Sequence, residues 1–190
     1  MTALSLLRRF ARDRSGAALI ELAFAVPVLV IILLGCFEAT RYVLLHQKLD
    51  RAASSTADLV AQQKGITTSQ MCDLFDAARQ LMKPYDLIAN GRVVISSVSR
   101  PDTGPPRVSW QELSTGSVAV TSQVGTAGGT ATLPPELVLQ IGGNVIVAET
   151  FYNYEPFFLS ALFEPTQLYH TAYHRPRVTN LTTITNSGGC

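Results

Sequence analysis

The chain has 190 residues, 47% of them hydrophobic and 15% charged, a composition that fits one modest domain plus one membrane segment. Its formal net charge is +1, yet Arg8, Arg9, Arg12 and Arg14 outweigh Asp13 by three near the N-terminus, so the remainder carries about −2. That remainder has no basic stripe able to neutralise many phosphates, which argues against nucleic acid as a partner. Three cysteines, Cys36, Cys72 and Cys190, match neither a zinc template nor a CxxC motif.

From Ala17 to Phe37 the sequence reads AALIELAFAVPVLVIILLGCF, with Glu21 as its one charge. As a helix this run is about 31 Å long, enough to cross a hydrocarbon core. The arginines precede it, so the bias of basic residues keeps the N-terminus in the cytoplasm and sends everything after about Thr40 outside. A cleaved secretory signal would have a shorter apolar region ending at an A-x-A-like site. Ala23-Phe24-Ala25 fits that site nominally but comes too early, and Arg8-Arg9 matches a twin-arginine signal poorly. Leu33-Leu34-Gly35-Cys36 resembles a lipobox, with bulky Leu34 where a small residue is usual. Pro27 removes a backbone donor within the run and is expected to kink it.

An acid near one end of a membrane helix costs up to about 3 kcal/mol unless it is neutralised or paired. Glu21 has two readings: it sits at the interface and reaches water, or it has a partner. If the chain is cut between Gly16 and Ala17, the new α-amino group lies one helical turn before Glu21, close enough to pair within the subunit or with a neighbour.

Basic residues, then Gly16, Ala17, Glu21 and an unbroken apolar run resemble the class III signal of type IV pilins and pseudopilins. The stretch RSGAALIELAFAVPVLVIILLGCFEATR resembles more narrowly the TadE and TadF minor pseudopilins of the tight-adherence (Flp) pilus system. The resemblance implies cleavage by a prepilin peptidase after Gly16, with the anchor retained on the mature subunit. Flp major pilins usually carry a Glu-Tyr pair where this chain reads ALIEL, and they are far shorter, which favours a minor pseudopilin. The partners implied are the peptidase, other pilin and pseudopilin subunits, inner-membrane assembly proteins and membrane lipid.

Beyond the membrane run, Tyr42, Leu45, Leu49, Ala52, Thr56 and Leu59 recur at spacings of three and four, predicting an amphipathic stem to about Lys64, where Gly65 offers a stop. A second helix is expected from Ser69 to Lys83, with Thr67 and Gln70 forming a capping box, Pro84 closing it, and Met71, Leu74, Phe75, Ala78 and Leu81 on one face. Strands follow at Arg92–Ser99 and Arg107–Leu113, joined by a Pro- and Gly-rich turn, and at Asn144–Tyr154 and Leu168–Arg175. Between the pairs, 114–133 reads as a mobile Gly/Ser/Thr-rich loop with a short edge strand at Val118–Ser122. The fold class is therefore α+β: a long transmembrane and stem helix, one short helix and a small antiparallel sheet of about four strands. The element order and the run FYNYEPFF at 151–158 also resemble a TadE-type head. The expected organisation is a leader over 1–16, a membrane helix over 17–37, a stem over 38–64 and an extracytoplasmic head over 65–190.

The sequence carries no nucleophile elbow, Walker or dinucleotide motif, so no enzyme activity and no cofactor is expected. His170 and His174 share one face of a predicted strand, but His46 is far off on the stem, so no metal site is expected. If the head lies outside the cytoplasm, Cys72 and Cys190 are able to form a disulfide; the alternative is a buried Cys72 and a frayed Cys190. The expected function is a minor pseudopilin of a bacterial inner membrane, single-pass with a periplasmic head, that helps initiate or build a tight-adherence pilus. Its rival is a membrane-tethered or lipidated envelope protein with a binding head, whose mature chain would begin at Cys36 if lipidated.

Overall fold

The computed structural model describes residues 15–158 and 164–186. Most of the expected leader and Cys190 fall outside these residues. Helix α1 runs unbroken from Ser15–Ala61, with Pro27 inside it, and at 1.5 Å per residue it is about 70 Å long. It unites the expected membrane helix and stem in one rod and stops three residues before Lys64. Helix α2 spans Thr68–Met82 and opens with the expected capping box, Thr67 and Gln70 exchanging side-chain and backbone hydrogen bonds. A single turn, α3 (Leu87–Asn90), was not foreseen; the Asp86 carboxylate caps it by accepting from the amides of Ile88 and Ala89.

Four strands follow: β1 (Gly91–Ser99), β2 (Arg107–Leu113), β3 (Asn144–Tyr154) and β4 (Thr166–His174). Both expected hairpins form, and they join through an antiparallel β1–β3 pairing to give the order β2-β1-β3-β4. An irregularity between Ser97 and Val98 places Trp110 opposite Ser97 and Val108 opposite Val98, leaving Ser109 as the extra residue of a bulge.

Each sheet face buries a different covering. Val93, Ile95, Ile146 and Ala148 meet Leu45, Leu49, Ala52, Ala57 and Val60 of α1 and Met71, Phe75, Ala78 and Met82 of α2 in the main core. Burying each large aliphatic side chain here contributes roughly 1.5–3 kcal/mol. Because α1 packs against both sheet and α2, its buried stripe is wider than the expected one: Ala53, Ala57 and Val60 are inside, while Leu59 is 39% exposed. On α2, Met82 is buried and Leu81 faces out, for the same reason of phase.

The opposite face is covered by the segment between β2 and β3, which packs Val124, Ala131 and Leu139 on Val98, Val108, Val145 and Val147. No strand forms at Val118–Ser122. The polar groups there turn inward instead: the Ser122 hydroxyl and the Gln123 amide (2.8 Å) donate to the carboxylate of Glu149 on β3. Gly125 makes the close approach possible; its φ is 127°, and a Cβ would lie 2.7 Å from the Thr130 carbonyl. The C-terminal tail closes the main core. Ser97 Oγ (2.6 Å) and Trp110 Nε1 (2.7 Å) donate to the Leu181 carbonyl, and the Leu181 amide donates to Asn144 Oδ1 (3.0 Å).

Leu49→Ala should destabilise the head by about 2–5 kcal/mol, because a fully buried side chain at the helix–sheet contact leaves a cavity. Leu44→Ala on the exposed face should change stability by less than about 0.5 kcal/mol. Denaturant titration of the detergent-solubilised chain, followed by Trp110 fluorescence, measures both.

Candidate functional site

The N-terminal half of α1 carries the residues that sequence reading singled out. Gly16, Ala17 and Glu21 are all exposed and lie in its first two turns. Ala17 and Glu21 are four residues apart on one helix and therefore on one face. Among the described residues Glu21 has no hydrogen bond or ion pair, and nothing lies within 4 Å of where a Cβ on Gly16 would be. The Gly16–Ala17 peptide sits in the first turn, where backbone amides have no intrahelical acceptor. Around it the helix shows apolar side chains on every side: Leu19, Phe24, Leu29 and Leu33 each keep more than half of their surface exposed. The α1 helix is long and apolar enough to cross a membrane, and no part of its most apolar window is buried against the protein.

The end of the apolar run is where helix and head are fastened. Glu38 is 1% exposed. Its carboxylate accepts from the Tyr154 hydroxyl at the end of β3, from the amides of Phe157 (3.0 Å) and Phe158 (3.2 Å), and from Arg41 one turn along α1 (3.1 Å). Burial alone would raise the Glu38 pKa; the hydrogen bonds from Tyr154 and the two amides and the Arg41 charge together outweigh it and hold the group below the ordinary 4.5. Burial first, then the hydrogen bond to Glu38 and its charge, push the Tyr154 hydroxyl well above its usual value. Tyr85 adds a second tie by donating to the Arg41 carbonyl (2.9 Å). An open cleft of about 440 Å³ lies beside Glu38 between α1 and the β3–β4 connection, with Ala39, Tyr42, Val43 and Tyr154 in its walls. Glu38 is the first charge after the apolar run, and sequence reading did not single it out. The available signal was an acid directly after a membrane-length apolar run, with Arg41 at i+3.

The histidines differ from expectation. His46 is not remote from the strand pair: β4 packs on the stem, and His46 Nδ1 lies 2.8 Å from His170 Nε2. The Tyr42 ring meets His46 edge-on at 4.5 Å. His174 instead faces Asp58 (3.6 Å), which also pairs with Arg177 at 2.5 Å. Sequence distance concealed the contact because 124 residues separate two groups that helix–sheet packing brings together. Among the described residues no cluster of three His, Cys, Asp or Glu side chains could hold a metal ion. Cys36 is free and exposed.

These features define a class: a rod long enough to cross a membrane, clasped at its midpoint by a small α+β head. Residues 16–58 match the family of TadE-like proteins, consistent with a TadE/TadF-like pilus protein; the match covers the apolar run and most of the stem, not the head. No curated protein and no solved structure matches the chain.

Glu38→Ala should cost about 2–4 kcal/mol of stability, since it orphans a buried tyrosine hydroxyl and two amides, and Glu38→Gln should recover part of it; thermal unfolding of the solubilised chain measures the difference. A separate pH dependence belongs to His46, whose pKa burial and then the neighbouring His170 hold below the ordinary 6.5. The folded chain thus binds fewer protons than the unfolded one, so this contribution is complete above about pH 6.5 and is lost as the pH falls through the folded-state value. His46→Leu should flatten the fall in melting temperature just below pH 6.5 while leaving the Glu38 effect, which begins below about 4.5, in place.

Proposed function

We propose that this chain is a minor pseudopilin that takes part in initiating or building a tight-adherence pilus. The observation that carries the reading is the apolar, unpacked N-terminal half of α1, with one acid in its second turn, inside a segment that matches TadE-like proteins. Among the described residues nothing covers the most apolar window of this helix, so its apolar surface is available first to lipid and then to the helices of other subunits. The role is one of packing, with no chemistry required of the chain.

In this reading the chain crosses the inner membrane once through 17–37, with the N-terminus cytoplasmic and the head periplasmic. A prepilin peptidase removes 1–16. The freed Ala17 amine then pairs with Glu21 of the same subunit or of a neighbour, and this charge pair sets the register between adjacent rods. Partners are pilin-type subunits, inner-membrane assembly proteins and lipid.

A disulfide between Cys72 and Cys190 accompanies the periplasmic placement. The path of the tail supports it: the Thr68 amide donates to the Thr185 carbonyl (3.1 Å) and the Thr185 amide to the Ile66 carbonyl (3.0 Å). Cys72 lies one turn further along α2, and five extended residues beyond Thr185 reach about 17 Å.

Intact mass of the protein isolated from its membrane tests the scheme. A chain beginning at Ala17 is expected, lighter by two hydrogens before reduction than after; a chain beginning at Met1, or at an acylated Cys36, would defeat it. Gly16→Leu should abolish processing. Glu21→Ala should insert and be cleaved normally yet reduce piliation severely, and full piliation in that variant would remove the register role from this side chain.

A further inference from the structure

We propose that the head makes its own contact with the bilayer, through Phe157 and Phe158 in the connection between β3 and β4. The proposal rests on the membrane-spanning reading of 17–37 and adds to it a second point of attachment, made by a loop 120 residues further along the chain.

The geometry starts from Phe37, the last residue of the apolar run. The rise from Ala17 to Phe37 is about 30 Å, the thickness of a hydrocarbon core, so with the run in the bilayer Phe37 lies at the outer boundary. The Phe158 ring meets Phe37 edge-on with centroids 5.7 Å apart, and Phe157 meets Phe158 at 4.7 Å. Phe158, in contact with Phe37, lies near its depth, and Phe157 lies one ring further on. All three are open: Phe37 is 50%, Phe158 48% and Phe157 71% exposed. Three neighbouring phenyl rings turned to water would form an apolar patch of the kind that marks an interaction surface. At this level the medium that meets them is the interfacial layer, where aromatic side chains are favoured.

Two further features suit the connection to this position. Its backbone is held to the helix, because the Phe157 and Phe158 amides donate to Glu38, so the rings cannot rise away from the membrane without opening the clasp. The first two charges after the apolar run are also masked. Glu38 is enclosed by hydrogen bonds, and the Arg41 guanidinium both pairs with it and lies 5.5 Å from the centre of the Phe157 ring. An acid directly after a membrane span is thereby carried at the boundary without relying on water.

Tryptophan scanning of the full chain in vesicles of phosphatidylethanolamine and phosphatidylglycerol tests the inference, with lipids brominated either high or low on the acyl chain as quenchers. Wild type supplies the signal of buried Trp110 for subtraction. Phe157→Trp is expected to be quenched more strongly by the high bromine than by the low one, and Phe158→Trp provides an independent site should the first variant fold poorly. Leu29→Trp reports the span and is expected to be quenched more strongly by the low bromine. Quenching of Leu29→Trp with none at either loop position would overturn the inference and leave the span intact, whereas no quenching at any position would remove the span as well. Loop quenching that vanishes as protein is enriched over lipid, with Leu29→Trp still quenched, would assign the rings to a second copy of the chain and overturn the lipid contact.

Discussion

Glu38 sits where two environments meet: the apolar run ends at Phe37, and the stem core begins at Leu45. An acid at such a boundary must be hydrated, paired or hydrogen-bonded, and here the head supplies the hydrogen bonds. Tyr154 and the amides of Phe157 and Phe158 come from one end of β3 and the connection after it, while Arg41 comes from the helix itself. The orientation of the sheet on the rod therefore depends on a carboxylate rather than on apolar packing alone. Apolar contacts are non-directional and would tolerate sliding along α1; a carboxylate with four donors specifies one position.

Everything above that point follows from a helix used twice. The same rod is apolar on every side below Phe37, with Glu21 as its one charge, and amphipathic above it, where the head packs against it. Small residues Ala52, Ala53 and Ala57 let sheet and α2 approach α1 closely in the upper half, where all three are fully buried. Among the described residues the most apolar window of the lower half has nothing buried against it. A rod with an uncovered apolar half agrees with the TadE-like match over 16–58.

The second buried acid, Glu149, works on the far face of the sheet. It accepts from Ser122, Gln123 and Tyr169, and so converts a Gly- and Ser-rich segment with little apolar content into a fixed cover. Two carboxylates thus hold the connections before and after β3. Glu38 adds the Arg41 charge to its hydrogen bonds, whereas Glu149 is met by two hydroxyls and a backbone amide.

Local patterns in the sequence determined the membrane-length helix, the amphipathic stem, the capping box at Thr67 and Gln70, and the four strands, two of them to the residue. Each depends on spacing or on a short-range hydrogen bond between near neighbours, and such signals survive in one dimension. Gly16, Ala17 and Glu21, the positions proposed for cleavage and pairing, drew notice because a lone acid in an apolar run stands out against its background. The tertiary structure alone decided the strand order, the loss of the expected strand at Val118–Ser122, the meeting of His46 with His170, and the burial of Glu38 and Glu149. These are long-range pairings: whether a polar side chain faces water or a distant donor depends on which elements pack together, and no local periodicity encodes that choice.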